Sequence, residues 1–227
     1  MAKHGKKYLN AAKLLEGKTV FTLDEAIALL KKTATTKFDS SIEVHVNLGI
    51  DPTKADQMVR GTAQLPHGTG KKLRIAVFAK GEAAKKSAEA GADLVGDDDM
   101  IAEIKKSGKT DFDLALATPD MMKSLAPIAK TLGTKGLMPN PKNDTVTADP
   151  AAAVKALQTG KIAFRNDTTG NVHQIIGKAS FPAEHIQANL EMFIEALRKA
   201  KPSESKGTYL ASVTLTSSMG PGINVAA

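Results

Sequence analysis

The chain has 227 residues, 42% of them hydrophobic, and its 31 basic and 24 acidic side chains give a formal net charge of +7 and a pI near 9.4. That apolar content fills one large core or two ordinary ones, and the charge favours a polyanion or an acidic membrane surface as partner. The absence of cysteine excludes disulfides, thiolate catalysis and cysteine-ligated zinc or iron-sulfur centres; with no apolar run of membrane-spanning length and no signal-peptide core at the start, a cytoplasmic protein is expected.

The opening MAKHGKKYLNAAKLLEGK holds five lysines and one glutamate without strong apolar periodicity. It reads as a basic arm, either simply solvated or running along a phosphate backbone. Tryptophan is absent and tyrosine occurs only twice, so an aromatic platform for stacking single strands is not expected. Thr22, Leu23, Asp24 and Glu25 form a capping box that predicts a helix through AIALLKKTA. In KFDSSIEVHVNLGID, the residues Ile42, Val44, Val46, Leu48 and Ile50 alternate with Glu43, His45, Asn47 and Gly49. This is the clearest strand signal in the chain, with one apolar and one polar face. Residues 60–72, RGTAQLPHGTGKK, break the alternation with glycines, a proline and basic side chains and read as a linker.

Beyond it the short apolar runs LRIAVFAK, ADLVG and DLALATPD alternate with the helical stretches EAAKKSAEAG, DMIAEIKKSG and MMKSLAPIAKTLG. That order predicts a small parallel α/β unit. GLMPNPKNDTV is turn-rich, and DPAAAVKALQTG predicts a helix with Pro150 near its start and Gly160 past its end. KIAFRND and NVHQIIGKASF then predict a hairpin around Thr168, Thr169 and Gly170. Pro182 opens a helix whose Ile186, Leu190, Phe193, Ile194 and Leu197 share one face. Last comes an alternating strand from Tyr209 to Thr216, which runs into the exposed turn Ser217 to Gly222 and stops almost at once.

Strands from both ends need partners, so the expected fold class is α+β with two domains. Residues 1–67 and 160–227 would form one split α+β domain, interrupted by a Rossmann-like α/β domain at residues 68–159. The insert carries 14 basic against 12 acidic residues and the two ends 17 against 12, so the excess charge points to the split domain.

Catalytic signals are missing. HGTGKK lacks the first glycine and the hydroxyl of a phosphate-binding loop, and it precedes a strand where such a loop follows one. AKGEAAKK has only Gly81, which gives no dinucleotide fingerprint and argues against an α/β enzyme acting on a phosphorylated metabolite. Asp97, Asp98 and Asp99 read as a helix cap in preference to a cation site, and the histidines at 4, 45, 67, 173 and 185 show no metal-ligand spacing. No catalytic residue, metal or cofactor is therefore expected. What remains is a polar surface of Lys37, Phe38, Ser41 and Glu43 that can join the tail turn if the first and last strands are neighbours. Lysine there would meet phosphate, Phe38 would pack on ribose or base, and the serines with the Gly220 amide would meet 2′-hydroxyls and phosphate oxygens.

Taken in order, KFDSSIEVHVNLGID, RGTAQLPHGTGK, GLMPNPK, the GKASFP strip and SMGPG resemble the bacterial large-subunit ribosomal protein L-one family over essentially the whole chain. The resemblance implies binding to large-subunit rRNA at the mobile stalk beside the tRNA exit site, release of deacylated exit-site tRNA, and repression of the protein's own operon mRNA. It also implies a free monomer, with no membrane partner. Carried over by position, it implies RNA contacts at Lys37, Phe38, Ser41, Glu43, Ser212, Thr214, Ser218, Met219 and Gly220, with Arg165, His173, Lys178 and Ser180 on the second hairpin. The chain departs from the family in having Ser218 where threonine is usual, and in lacking a lysine near Thr168.

Overall fold

The computed structural model describes residues 4–205 and 207–226. In chain order it contains α1 (Lys6–Lys13), α2 (Leu23–Thr33), β1 (Ser41–Leu48), β2 (Arg60–Gln64), β3 (Ile75–Phe78), α3 (Gly81–Glu89), β4 (Leu94–Gly96), α4 (Asp98–Ser107) and β5 (Leu114–Ala117). There follow α5 (Met121–Ser124), α6 (Ala129–Thr134), α7 (Pro150–Gln158), β6 (Lys161–Arg165), β7 (Asn171–Lys178), α8 (Ala183–Lys199), β8 (Leu210–Ser217) and β9 (Ile223–Val225). Among the described residues these fall into two compact units, one reaching to Gly70 and resuming at Ile162, the other spanning Lys71–Lys161. The chain is a mixed α+β protein.

In the first unit the alternation of β1 becomes burial: Ile42, Val44, Val46 and Leu48 are buried while the residues between them are not. Antiparallel ladders flank β1 on both sides, in the order β7-β1-β8-β9. The apolar face of that sheet packs on Ala26, Ile27 and Leu30 of α2 and on Ile186, Leu190, Phe193 and Leu197 of α8. Each such aliphatic or aromatic side chain taken out of water contributes about 1.5–3 kcal/mol before entropy is charged against it. Helix α2 starts as expected, with the Thr22 N–H donating to Glu25 Oε2 at 3.4 Å in a capping box.

Several local expectations are corrected here. The basic arm contains helix α1, held by buried Ala11, with Leu15 following it against the core. The stretch read as a linker begins with strand β2, which pairs with β6. Gly61 and Ala63 of this strand and Leu65 just after it are the inward positions, and a Cβ on Gly61 would stand 2.9 Å from Phe164 Cζ. The ring of Phe164 occupies the space a side chain would fill, so the alternation is real but silent at Gly61. β6 and β7 do not form the expected hairpin: β6 pairs with β2 and β7 belongs to the four-stranded sheet, while the chain reverses at the Thr168–Gly170 turn through an Asn166–Val172 bridge and an Asp167 N–H donated to the Asn171 carbonyl at 2.7 Å. Asn166 is diverted to Val59, whose carbonyl accepts from its N–H at 3.1 Å and whose N–H donates to its Oδ1 at 2.9 Å. The chain also continues beyond the tail turn into β9, which buries Ile223 and Val225.

In the second unit β4, β3 and β5 are parallel, with β3 in the middle. Side chains of α3 and α7 pack beside Ile75, Val77 and Leu116, while α4, α5 and α6 cover Ala76 and Phe78 on the other face. The run MMKSLAPIAKTLG is not one helix but α5, a single 3₁₀ turn at Ala126–Ile128 and α6. Pro127 lacks the N–H that would continue an α-helical ladder. Asp97 caps α4, its carboxylate accepting from the Asp99 N–H, and Lys80 pairs with Asp98 at 2.6 Å.

A polar side chain of α8, Asn189, is fully buried in the first core. It accepts from the His67 N–H at 3.1 Å and donates to the carbonyls of Gly68 at 2.9 Å and Ile176 at 2.7 Å. Truncation would leave these backbone groups without their partner, each costing about 1–3 kcal/mol where burial prevents rescue by water. Asn189→Ala is therefore expected to destabilise the protein by about 3 kcal/mol or more, read as a lower urea midpoint at unchanged slope.

Candidate nucleic-acid interface

The face of the four-stranded sheet opposite the helices is polar. β1 contributes Ser41, Glu43, His45 and Asn47; β7 sets Lys178, His173 and Asn171 opposite Ser41, His45 and Asn47. β8 sets Thr216, Thr214 and Ser212 opposite Glu43, His45 and Asn47, and Asn224 of β9 lies opposite Thr214. Period-two geometry puts these residues on one side because the register aligns the polar phases of strands far apart in sequence. A register shift after Ile42 interrupts the phase on β7, where Ile175 faces Glu43.

At one end of this face the tail turn locks onto the start of β1. Ser218 Oγ accepts from the Ser41 N–H at 3.1 Å, the Ser218 N–H donates to the Ser41 carbonyl at 3.0 Å, and Lys178 Nζ donates to Ser41 Oγ at 2.9 Å. Both serines, expected as free hydroxyls, are thus engaged within the protein, and Ser218 acts as a tie between the two chain ends. The Gly220 N–H closes the turn on the Ser217 carbonyl at 2.8 Å, and a Cβ on Gly220 would collide with the buried Ser217 hydroxyl. Within that turn Met219 has φ +65°, a conformation that side chains larger than glycine adopt at a cost. The outcome is a methionine held out at 82% exposure, beside a Pro221 that is buried and not exposed as expected.

Lys37 and Phe38 immediately precede β1, and Phe38 is 62% exposed. Their segment is anchored by Asp39, which accepts from the N–H of Ser180 at 3.1 Å and from its hydroxyl at 2.8 Å. Ser180 therefore positions the site through Asp39. Exposed Phe38 and Met219, Lys37, Lys178, Ser41 and Ser218 all occupy the same end of the sheet, with Glu43 one polar position further in. Ser212 and Thr214 lie toward the other end of β8, where the Thr214 hydroxyl donates to Asn224 Oδ1 at 2.8 Å. Arg165 is not brought to this face: it projects from β6 in the two-stranded sheet, exposed on the side opposite Phe164.

Further along the face lies a network that reading motifs did not single out. His45 Nδ1 is 2.8 Å from His173 Nδ1, and His45 Nε2 is 3.1 Å from Thr216 Oγ. Asn47 Nδ2 donates to Asn171 Oδ1 at 2.7 Å, Asn171 donates to Thr169 Oγ at 2.7 Å, and Thr169 donates to Asp167. The Thr169 hydroxyl, together with the Asn171 N–H, holds the Asp167 carboxyl far below the usual carboxylate range. Burial first, then neighbouring His173, lowers the pKa of His45. His45, Asn47 and Thr216 continue the alternations of their strands, so period two was the signal that could have found them. Among the described residues no group of three or more His, Asp or Glu is arranged to hold a metal ion.

The turn geometry separates strain from support. Met219→Gly is expected to raise stability by up to about 1 kcal/mol by removing the left-handed side-chain penalty, whereas Ser218→Ala should cost about 1 kcal/mol through the lost acceptor for Ser41; chemical denaturation of both variants checks the opposite signs.

Comparison with known sequences places this surface in context. The sequence model of the ribosomal protein L1p/L10e family matches residues 30–221. The large ribosomal subunit protein uL1 of Chloroflexus aggregans is 52% identical over 227 residues, covering 99% of this chain and 96% of the relative. The protein of the same name from Kosmotoga olearia is 49% identical over 225 residues, covering 99% and 97%. With the match running through both units and through β1, β7 and β8 to the tail turn, the chain belongs to the ribosomal protein L1p/L10e family.

Proposed function

We propose that the protein is a structural component of the large ribosomal subunit that grips rRNA with the Phe38–Met219 end of its four-stranded sheet. The observation that carries this reading is the strained turn: φ +65° at Met219 is maintained while its side chain is 82% exposed, so the cost is not repaid by packing within the molecule. A flat surface with exposed Phe38 and Met219, backed by hydroxyls and lysines, suits ribose and base faces together with phosphate and 2′-hydroxyl oxygens. The net charge of +7 supplies the long-range attraction. Lys37, Phe38, Glu43, Lys178, Met219 and Gly220 are the proposed contacts; Ser41, Ser180 and Ser218 shape the surface, and Ser212, Thr214 and His173 extend it. Arg165 would serve only an RNA long enough to reach the second sheet.

In this reading residues 1–67 and 160–227 are the RNA-binding domain, and residues 68–159 are a Rossmann-like domain carried on it. The site is the mobile stalk near the tRNA exit site, where the protein assists release of deacylated tRNA; the same surface represses translation of its own operon mRNA. The protein acts in the cytoplasm on the ribosome, is monomeric when free, and is not an enzyme. Support for these roles comes from family membership and from relatives named as large-subunit proteins.

Filter binding to a stalk-junction fragment of large-subunit rRNA tests the site. Loss of an apolar partner for a base or ribose is worth about 1–3 kcal/mol, so Phe38→Ala and Met219→Ala should each weaken binding roughly tenfold or more without lowering stability. Unchanged affinity in both variants would sink the assignment. Because hydroxyl, backbone and apolar groups make up most of the surface, the slope of affinity against salt should be shallow, corresponding to about two to four phosphates, and not the steep dependence of a lysine-coated arm.

A further inference from the structure

His45 and His173 are directly opposed across β1 and β7, with their Nδ1 atoms 2.8 Å apart. At that distance one nitrogen donates and the other accepts, so the facing nitrogens hold a single proton between them. The outer nitrogens indicate the tautomers. His173 Nε2 faces Asp167 Oδ2 at 3.5 Å, while His45 Nε2 lies 3.1 Å from Thr216 Oγ and 3.8 Å from Glu43 Oε2. The assignment that uses each contact has His173 Nε2–H directed at Asp167, His45 Nδ1–H donated to His173 Nδ1, and the Thr216 hydroxyl donated to His45 Nε2. One proton position is then vacant, at His45 Nε2, and it faces a carboxylate.

The charged groups on this part of the face are few. β1 supplies Glu43, the turn before β7 supplies Asp167, and Lys178 stands further along β7, turned to Ser41. β8 presents Thr214 and Thr216, which carry no charge. With both rings neutral, the pair therefore sits between two carboxylates, a field that repels phosphate.

We propose that the His45–His173 pair takes up one proton when an RNA phosphate docks on this sheet face, making His45 and Thr216 further members of the binding surface. The proposal rests on the reading of the sheet as an RNA surface. The incoming proton occupies His45 Nε2, where Glu43 Oε2 and Thr216 Oγ accept from it, and the local charge falls from two negative to one. A second proton would set two N–H groups against each other across the 2.8 Å gap, so uptake stops at one. Burial and His173 keep His45 less basic than an ordinary histidine, which favours the vacant Nε2 position in the free protein. Bound phosphate raises the pKa of the pair in the complex above its value in the free protein. The added affinity is thus fully present below the free pKa and is lost as pH rises through that of the complex.

Filter binding of the full chain to the rRNA fragment should show affinity rising about threefold to tenfold from about pH 8 to about pH 5.5, with an average uptake of about 0.2 to 0.4 proton over that range by calorimetry in buffers of different ionisation enthalpy. His45→Asn and His173→Asn should each flatten that response. A flat wild-type profile, or a slope that survives both substitutions, overturns the proposal. Phe38→Ala and Met219→Ala separate the two ideas: affinity that ignores them removes the sheet-end reading on which this one rests. Affinity that depends on them, with a pH response independent of the histidines, overturns proton uptake alone. Should the histidine variants fail to fold, histidine ring resonances of the wild-type protein decide the matter. One shared titration supports the pair, and two independent complete titrations overturn it.

Discussion

The structure of the first unit depends on β1 lying between β7 and β8. Both edges of β1 are satisfied by strands contributed from more than a hundred residues away in sequence, through antiparallel ladders each interrupted by one register shift. Those ladders place three sets of apolar side chains on one side, where α2 and α8 cover them, and three sets of polar side chains on the other. A slip of one residue in either register would exchange the two faces, so packing of the core and construction of the polar surface are the same event.

That pairing also explains why the proposed site is made of exposed apolar tips on a polar support. The hydroxyl of Ser218 and the amide and hydroxyl of Ser41 are consumed in holding the chain ends together with Lys178. Asp39 and Ser180 fix the segment that leads into β1. What this scaffold leaves in solvent is Phe38, Met219 and Lys37. The backbone strain at Met219 is sustained because the turn is closed on both sides, by Gly220 onto Ser217 and by β9 returning beside β8.

Much of this was legible from local pattern. The period of β1, the capping box of α2, the proline and glycine bounding α7, and the apolar stripe of α8 each correspond to the observed element, because each records its own burial within a few residues. Strand β2 was not legible because Gly61 leaves its place in the core to the ring of Phe164. Strand β9 spans Ile223–Val225, too short for alternation to stand out, and α1 is held chiefly through Ala11, a residue with little hydrophobic signal. The predicted β6–β7 hairpin failed for a different reason: a turn sequence announces a reversal, but only long-range partners decide whether the flanking strands remain together.

The same boundary runs through the site. The sequence by itself determined which side chains of β1 and β8 are polar, that the tail turn offers hydroxyls and bare backbone, and, through its ordered motifs, the family. Only the tertiary structure decided that Ser218 spends its hydroxyl on Ser41, that Arg165 belongs to another sheet, and that His45 and His173 meet. Alternation along a strand is a local property set by the pleat, whereas register between strands is chosen by the whole core at once; contacts across strands therefore appear only when the core has formed.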